Sequence, residues 1–457
     1  MERASSYRTR LGCNRQGGLT GHRMISSRFV SQLPKAERLK IRRLPWVILS
    51  GGLSSIYSTF ALGTVSILFY DAMGLSKSQI GLLNALIFLP GPLAIFIAPL
   101  ASKWGFKRTF MVFYSARKIL IMLLAASPWI LEQYALAGVA IYTTSLMSLY
   151  GVLRVTAETA IYPWQHEYVP PRVRGKFTAI TNMVSTLVGI GAVSAASHYL
   201  ENGTTGLAAY QFLLIVGSIF GLLSVFAKWP VPGGHPDPKS NSYNDYFVEL
   251  RRPLNDRPFC RFILGLSFVS IATHSWATFI PLYMKEEVGL QAGQIVHLQT
   301  WNMVGTLLSS YFWGYFSDKI GSTRVLFIGL AGMTSLPILW FFLPNIPTFK
   351  IIISGLSCAA WGITTIGFSI GQERRLNVEL VTPEHKTEYM TIFYTTSQIA
   401  AVISPILAGW GLEWCQDTNS DYWLVTWGTY TPFFFISSLI LLTSLRLFRP
   451  QSTSVTQ

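Results

Sequence analysis

The side chains best suited to chemistry in this chain are ionisable groups inside long apolar runs. Arg154 and Glu158 are four residues apart in the run 135–163, so a helix would place both on one face. A charged group is costly inside a bilayer, and such groups commonly bind a substrate, carry protons or pair with each other. The pair could therefore clamp an anion or relay protons, or it could be a structural ion pair that extends to Arg117 or Lys118.

A histidine and an acidic group extend this set. His274 is the only histidine well inside a predicted span, and Trp276 lies close to it in the sequence. Histidine changes charge near neutral pH and could couple solute movement to protons, whereas a hydrogen-bonded packing role is the alternative. Glu373, Arg374 and Arg375 end another apolar run. They predict a solvated rim, from which Glu373 alone could face a cavity.

No pattern typical of an enzyme or of a metal site occurs in the sequence. A glycine-rich phosphate-binding loop is absent, so ATP is not expected to drive the protein. The four cysteines, at positions 13, 260, 358 and 415, have no paired spacing, and no histidine–cysteine cluster has the spacing of metal ligands. We therefore expect no enzyme activity, no cofactor and no metal.

The composition is typical of a polytopic membrane protein. Half of the residues are hydrophobic, 14% are aromatic and only 12% are charged. About 20 mostly apolar residues are enough to cross a bilayer as a helix. Twelve runs meet this need, at 45–70, 79–102, 109–130, 135–163, 176–199, 208–229, 259–284, 292–316, 323–343, 348–372, 387–412 and 422–446. The fold class is thus an all-α membrane protein, with the lipid bilayer as its partner.

The basic residues indicate the orientation of the chain. The net charge is +15, but Lys and Arg are spread over the N-terminal tail and alternate links, so a nucleic-acid partner is not expected. The links at 103–108, 172–176, 228–261 and 317–324 are basic, and the other links contain few basic residues and several acids. By the positive-inside rule, the basic links and both termini lie in the cytoplasm, with the protein in the cell (inner) membrane.

The runs divide the chain into five regions. These are a basic tail at 1–44, six spans at 45–229, a linker at 230–258, six spans at 259–446 and a short tail at 447–457. The linker is rich in Pro and Gly, and its part 243–254 could form an amphipathic surface helix. The N-terminal region is compatible with a cytoplasmic tail, with an extension upstream of a true start at Met24, or with a transit peptide.

Three links of the first half are repeated in the second half. Residues 98–108 align with 314–324, 74–80 with 289–295, and 167–175 with 379–387, and the separation is about half the chain each time. Repeats in the same register predict two homologous halves. Parallel repeats of this kind are typical of one class of secondary transporter.

The repeated link resembles the signature loop of the major facilitator superfamily, Gly-x-x-x-Asp-(Arg/Lys)-x-Gly followed by basic residues. The second copy fits this pattern with Gly314, Asp318, Lys319, Gly321 and Arg324. The first copy retains Lys103, Gly105, Lys107 and Arg108, but has Ala98 and Ser102 where the family has Gly and Asp. Glu167, Pro170, Arg174 and Gly175 resemble the family loop that follows the fourth helix.

The resemblance implies two pseudo-symmetric six-helix bundles around a central cavity, which opens alternately to each side of the membrane. In the outward-open state, Asp318 and Arg324 would face Lys107, Arg108 and Glu167 across the cytoplasmic side of the two bundles. Because Ser102 has no charge, the first bundle would depend on Glu167 instead. The family fold closes its cavity without a second subunit, so a monomer is expected.

The family lines its path with the first, fourth, seventh and tenth spans. This selects Tyr57, Tyr142, Tyr150, Trp276, Trp361 and Gln372, to which the fifth, eighth and eleventh spans could add Asn182, Gln299, Asn302, Tyr394 and Gln398. Amides with aromatic rings suit a neutral polar solute such as a sugar. The alternative is that these residues join helices or lie at the membrane surface.

Two features of the same resemblance bear on the direction of transport and on the coupling ion, although the sequence determines neither. Arg154 partly resembles the intramembrane arginine of proton-coupled exporters, but the fifth span lacks the Gly-Pro pair of those exporters at 187–193. We therefore expect a symporter that takes up a small polar organic solute together with protons. The alternatives are a proton-driven multidrug-type exporter of the same superfamily and a membrane receptor that does not transport.

Overall fold

The computed structural model describes residues 35–203, 206–236, 251–345, 349–381, 386–415, 420–422 and 425–448. The helices of the first half are α1 (Lys35–Ala61), α2 (Thr64–Ala72), α3 (Lys77–Leu86), α4 (Ala94–Trp104), α5 (Phe106–Leu124), α6 (Ser127–Tyr168), α7 (Arg174–Asn202) and α8 (Leu207–Ala227). Those of the second half are α9 (Arg251–Asn255), α10 (Arg257–Glu286), α11 (Ala292–Ile320), α12 (Ser322–Phe342), α13 (Lys350–Arg374), α14 (Lys386–Trp414) and α15 (Thr431–Phe448). Two short strands, β1 (Ser420–Tyr422) and β2 (Val425–Trp427), pair antiparallel.

These helices correspond to the twelve predicted spans, with α1 and α2 forming the first span and α3 and α4 the second. In the described part of the chain, ten spans are long and apolar enough to cross a membrane. The helices α5 and α11 are the two exceptions. Four basic residues lie in α5, and α11 contains several amide and hydroxyl side chains. The prediction of an all-α, membrane-spanning fold is confirmed.

Several helix boundaries differ from the predicted span bounds. The first helix begins at Lys35, inside the predicted tail. The third span ends at Leu124 instead of residue 130, because the next helix begins at Ser127, with Pro128 in its first turn. The last span begins at Thr431 instead of residue 422, because residues 420–427 contain the two strands. Most of the predicted surface helix 243–254 lies outside the described residues.

The structure repeats the same local geometry in both halves, as the aligned links predict. Gly105 and Gly321 each form a one-residue link between two helices, with φ of 92° and 89°. Only glycine adopts such a conformation without steric cost, which explains its place in both copies. In the second pair of links, α3 begins with a capping box from Ser76 to Gln79, and α11 with one at the aligned positions 291 and 294.

The helices form two six-helix bundles, which contact each other mainly through two helix pairs. The first bundle contains α1–α8 and the second contains α10–α15. Between them, α3 packs against α14 and α7 packs against α11. We call the end of the bundles that contains Lys35, Trp104, Tyr168, Ala227, Arg257, Ile320, Arg374 and Phe448 the terminal face. The other end, which contains Ala72, Leu124, Asn202, Glu286, Phe342 and Trp414, is the opposite face.

Candidate functional site

A cavity of about 430 Å³ lies between the two bundles. The first bundle contributes Gly63 and Thr64, and α10, α11 and α13 contribute the rest of the wall. Its polar side chains are Thr64, Gln299, Asn302, Thr306, Thr365 and Ser369, and its aromatic side chain is Trp361. The described lining contains no charged residue, so the cavity suits an uncharged molecule with hydrogen-bonding groups and an apolar face.

Two predicted amides lie in this wall and are held in place by hydrogen bonds. Gln299 Nε2 donates to Thr64 Oγ1 in the other bundle. Asn302 Nδ2 donates to the carbonyl oxygen of Cys358 at 3.2 Å. Trp361 completes the set of predicted residues that the structure brings together here. The hydroxyls of Thr306 and Thr365 were not predicted, because threonine is common in membrane helices and gives no signal in a sequence.

Trp276 supports the cavity wall from behind and does not line it. Its side chain is completely buried, and its ring packs edge-on against Trp340 at 5.0 Å and against Trp361 at 6.2 Å between centroids. Tyr150 is also buried, at 2% exposure, and lies against Arg117 in the first bundle. Gln372 is in the last turn of α13, outside the described lining.

The intramembrane charges form a separate group in the first bundle. Arg154 Nε lies 2.9 Å from Glu158 Oε1, and Arg117 Nη1 lies 3.4 Å from the same oxygen. Arg154 also donates to the carbonyl oxygen of Ile87 at 3.1 Å, and its guanidinium lies 4.6 Å from the centroid of the Phe88 ring. One carboxylate therefore serves two arginines, and Arg154 joins α6 to the break between α3 and α4.

His274 lies beyond Phe88, in the second bundle. The two rings meet edge-to-face with 5.3 Å between centroids, and His274 Nδ1 is 3.0 Å from the carbonyl oxygen of Ser270. The Phe88 ring thus contacts Arg154 on one side and His274 on the other, across the interface of the bundles. The predicted site residues consequently fall into two groups, an uncharged cavity and a charged group.

In this conformation the predicted gating loops contact residues of their own bundle or of the start of the linker. Asp318 pairs with Arg374, both in the second bundle. Lys107 Nζ donates to the carbonyl oxygens of Trp229 and Val231, each at 2.8 Å. Glu167 Oε2 accepts a hydrogen bond from the Gly234 amide at 2.6 Å.

The remaining loop residues lie at the terminal face. Arg108 packs over Trp104 and Lys319 over Tyr315, whereas a Cβ on Gly175 or Gly314 would meet open space. Lys103 and Arg324 are exposed, and Arg174 begins α7. No other helix therefore packs closely against Gly314 here.

A charged cluster joins the bundles at the opposite face, and the sequence did not predict it. Asp71 pairs with Lys285, and Lys77 Nζ lies 2.8 Å from Glu286 Oε2. The Tyr430 hydroxyl donates to Glu286 at 3.1 Å, and the Tyr430 amide donates to Glu287 Oε1 at 3.0 Å. We call Asp71, Lys77, Lys285, Glu286, Glu287 and Tyr430 the gate cluster. Both of its ion pairs connect one bundle to the other.

Burial perturbs the protonation of two members of the gate cluster, because it raises the pKa of the Tyr430 hydroxyl as well as that of Glu287. Burial raises the pKa of the Glu287 carboxyl above the ordinary value, and the neighbouring Glu286 acts in the same direction. The hydrogen bond from the Tyr430 amide and the charge of Lys77 partly oppose this rise in pKa. Glu287 therefore binds a proton more tightly in the closed cluster than it would in water.

The backbones also approach closely near the gate cluster. A Cβ on Gly81 in α3 would lie 2.2 Å from the carbonyl oxygen of Pro405 in α14. Only a residue without a side chain allows these helices to touch at this point. The gate cluster, this contact and the Gln299–Thr64 hydrogen bond all lie on the side of the cavity toward the opposite face, which is closed in this conformation.

Comparisons with known proteins agree with this architecture. The model of the Major Facilitator Superfamily matches residues 194–373 and 259–457, which together are more than half of the chain. A protein of Staphylococcus haemolyticus, provisionally named a proline/betaine transporter, is 22% identical over 295 residues, which are 62% of this chain and 61% of that protein. A protein of Aspergillus fumigatus, named the major facilitator superfamily multidrug transporter mfsB, is 28% identical over 162 residues, or 35% of this chain and 25% of that protein. The chain thus spans less than two thirds of the length of these curated relatives.

Solved structures share the fold at low sequence identity. A crystal structure of a variant of the nucleoside transporter NupG has a TM-score of 0.68 and 14% identity, and the match covers 89% of this chain and 98% of that one. A bacterial homologue of the human lysosomal transporter Spinster, in an inward-facing and unoccupied conformation, has a TM-score of 0.61 and 14% identity over 90% of this chain and 96% of that one. At this identity the likeness extends to the fold alone.

Proposed function

Because the chain belongs to the major facilitator superfamily, we propose that it is a symporter that takes up a small, neutral, polar organic solute together with protons. The uncharged cavity between the bundles carries this proposal. Its volume of about 430 Å³ is within the roughly 300–1,000 Å³ of small-molecule sites. The amides of Gln299 and Asn302 would bind hydroxyl groups of the solute, and Trp361 would stack on its apolar face. A sugar-like molecule meets these requirements.

The names of the similar proteins point to two kinds of solute. One is named for proline and betaine, which are small polar organic molecules, and another is named a multidrug transporter. The wall of the cavity contains amide, hydroxyl and aromatic groups, which can bind a small polar solute. Three threonines, a serine and two amides supply hydrogen-bonding groups, and the other residues of the wall are apolar or glycine.

Alternating access would use the gate cluster as its outer closure. The basic links lie at the terminal face, which by the positive-inside rule is the cytoplasmic side of the cell (inner) membrane. The gate cluster then faces outward, and the structure represents a state closed to the outside. Solute release would occur toward the terminal face, and separation of the Asp71–Lys285 and Lys77–Glu286 pairs would open the cavity for the next solute.

Proton coupling would use the charged group around Glu158. This carboxylate accepts from Arg117 and Arg154, so its protonation would weaken both ion pairs at once. Arg154 would then loosen its hold on Ile87 and Phe88, which lie where the second span is broken. His274 of the second bundle also contacts the Phe88 ring, so a shift of Phe88 would alter this contact. A proton at Glu158 would in this way alter the contact between the bundles.

The experiment that tests this function measures charge movement in proteoliposomes on a solid-supported membrane. Sugars, polyols, amino acids, betaines and nucleosides are applied with and without a pH gradient. We expect a solute-specific current that follows the gradient in the wild type, and no current in Arg154→Ala. The matched control is Arg446→Gln, which removes an exposed arginine in the last turn of α15 and should keep the current.

Two results would contradict the proposal in different ways. Movement of amphipathic dyes outward with a proton gradient, without a current from any polar solute, would identify an exporter. A solute that raises the melting temperature of the protein but produces neither current nor uptake of radiolabel would identify a receptor.

A further inference from the structure

A second cavity, of about 400 Å³, lies inside the first bundle and shares no lining residue with the cavity between the bundles. Every residue of its wall belongs to the first bundle. Hydroxyl groups dominate the wall, and they include those of Ser50, Ser54, Thr181 and Tyr114. The ammonium-bearing side chain in the wall is Lys228, which follows the last residue of α8.

Three cations converge on the Tyr114 ring beside this cavity. Arg117, Lys118 and Lys228 lie 4.1, 4.4 and 5.9 Å from its centroid. Lys118 is completely buried, and its Nζ also lies 3.1 Å from the centroid of the Tyr57 ring. The Tyr114 hydroxyl shares a hydrogen bond of 2.9 Å with Ser54 in the cavity wall. Positive charge is therefore concentrated at one wall of the cavity.

The described carboxylates do not balance this charge. Glu158 pairs with Arg117 and with Arg154, so it serves two cations already. Among the residues that the structure describes, no ion pair reaches Lys118 or Lys228. Aromatic rings offset part of the cost of burying an ammonium, but they do not supply a counter-charge.

The wall also contains a hydrogen-bonding group that lacks a partner. Thr181 Oγ1 is buried from solvent and makes no hydrogen bond in the structure. A buried hydroxyl without a partner is uncommon in proteins and indicates a place where a further molecule can bind. This observation is independent of the charges around Tyr114.

We propose that this cavity binds a small oxyanion, either free phosphate or the phosphate of a lipid headgroup. Lys228 supplies the direct charge contact, because it lies in the wall. The hydroxyls of Thr181, Ser54 and Tyr114 donate hydrogen bonds to the oxyanion, and charge-assisted bonds of this kind are the stronger ones. Lys118 lies behind the Tyr114 ring and does not line the cavity. The site is separate from the solute cavity and does not depend on the proposed function.

The test measures binding of inorganic phosphate to the full chain in micelles of dodecyl maltoside, a detergent without phosphate, at constant ionic strength. Radiolabelled phosphate and the melting temperature give two readouts, neither of which requires transport. We expect saturable binding and a higher melting temperature for the wild type, with at least tenfold weaker binding for Lys228→Gln and Thr181→Val. Arg446→Gln removes an exposed cation that lines neither cavity and should bind phosphate like the wild type.

A second arm distinguishes the two sources of the oxyanion. Phosphatidylglycerol added to the lipid-free micelles should raise the melting temperature of the wild type, but not of Lys228→Gln, if a headgroup occupies the cavity. Added phosphate should then have no further effect. If Lys228→Gln does not fold, the wild type is compared with the nearly isosteric variant Thr181→Val instead. A wild type that responds to neither phosphate nor phosphatidylglycerol overturns the proposal, as does unchanged binding in Thr181→Val.

Discussion

Replacement of Lys77 by glutamine should open the opposite face without unfolding the protein. Lys77 Nζ lies 2.8 Å from Glu286 Oε2, and the lysine side chain is only 8% exposed. The ammonium also lies 4.9 Å from the centroid of the Tyr430 ring. Glu286 and Tyr430 belong to the other bundle, so the substitution removes interactions that exist only while the face is closed.

The expected size of the effect follows from the exposure of the two partners. Removal of one member of a fully buried ion pair costs about 3–5 kcal/mol, and an exposed pair contributes about 0–1 kcal/mol. Glu286 is 34% exposed, so water can solvate its carboxylate after the substitution. We therefore expect a loss of about 1–3 kcal/mol, or a roughly 5- to 150-fold shift of the equilibrium between closed and open states.

Distances between spin labels would measure this shift. Labels on cysteines placed at Ala72 and Glu413, which are exposed at the opposite face on different bundles, report the opening when the native cysteines are replaced. Lys77→Gln should add or enlarge a population at longer distance. The charge exchange Lys77→Glu with Glu286→Lys should restore much of the closed population.

Lys350→Gln is the matched control for this experiment. Lys350 Nζ donates to the carbonyl oxygens of Val288 and Gly289, which lie in its own half of the chain. Its loss should leave the distances between the labels unchanged. The reasoning is refuted if Lys77→Gln and Lys350→Gln give the same distance distribution as the parent protein.

Four further predictions concern single positions. Arg154→Ala should abolish solute current while size-exclusion profile and helicity remain unchanged; a folded variant with wild-type flux would disprove this role. Because burial raises the pKa of Glu287, the closed face should lose stability as the pH rises above the ordinary carboxyl range, and Glu287→Gln should remove this dependence in label distances measured against pH. Gly81→Ala places a Cβ 2.2 Å from the Pro405 carbonyl oxygen, so it should cost about 1–3 kcal/mol and enlarge the open population; an unchanged melting temperature and distance distribution would argue against the contact. Asn302→Ala should raise KM about fivefold through the loss of roughly 1 kcal/mol of hydrogen bonding, whereas an unchanged KM for every transported solute would place binding elsewhere.

The fold could be predicted from the sequence because it depends on local patterns. Apolar runs of sufficient length define the spans, and the glycines of the repeated links define the turns, as the φ angles of Gly105 and Gly321 confirm. The boundaries near residues 124 and 431 differ from the prediction because a proline and a pair of short strands act there. Neither feature interrupts the hydropathy of the sequence.

The candidate site could be predicted only in part. The cavity is lined by Gln299, Asn302 and Trp361, as predicted, whereas Trp276 is buried behind it. Because α10 is apolar around most of its circumference, the sequence does not show which of its sides faces the cavity. The gate cluster depends on the register between helices of different bundles. Lys77 of one link meets Glu286 of another only after both bundles have formed. No spacing within the sequence contains that information.

The break in the second span is the place where this span can bend. Residues 87–93, between α3 and α4, interrupt the α-helical hydrogen-bond ladder and contain Pro90 and Pro92, so bending stiffness is lowest there. Beyond this break, α4 is connected to α5 through the single residue Gly105. Arg154 contacts Ile87 and Phe88 at the break itself. Because Lys77 lies at the far end of α3, a change of the angle at the break would move Lys77 relative to Glu286.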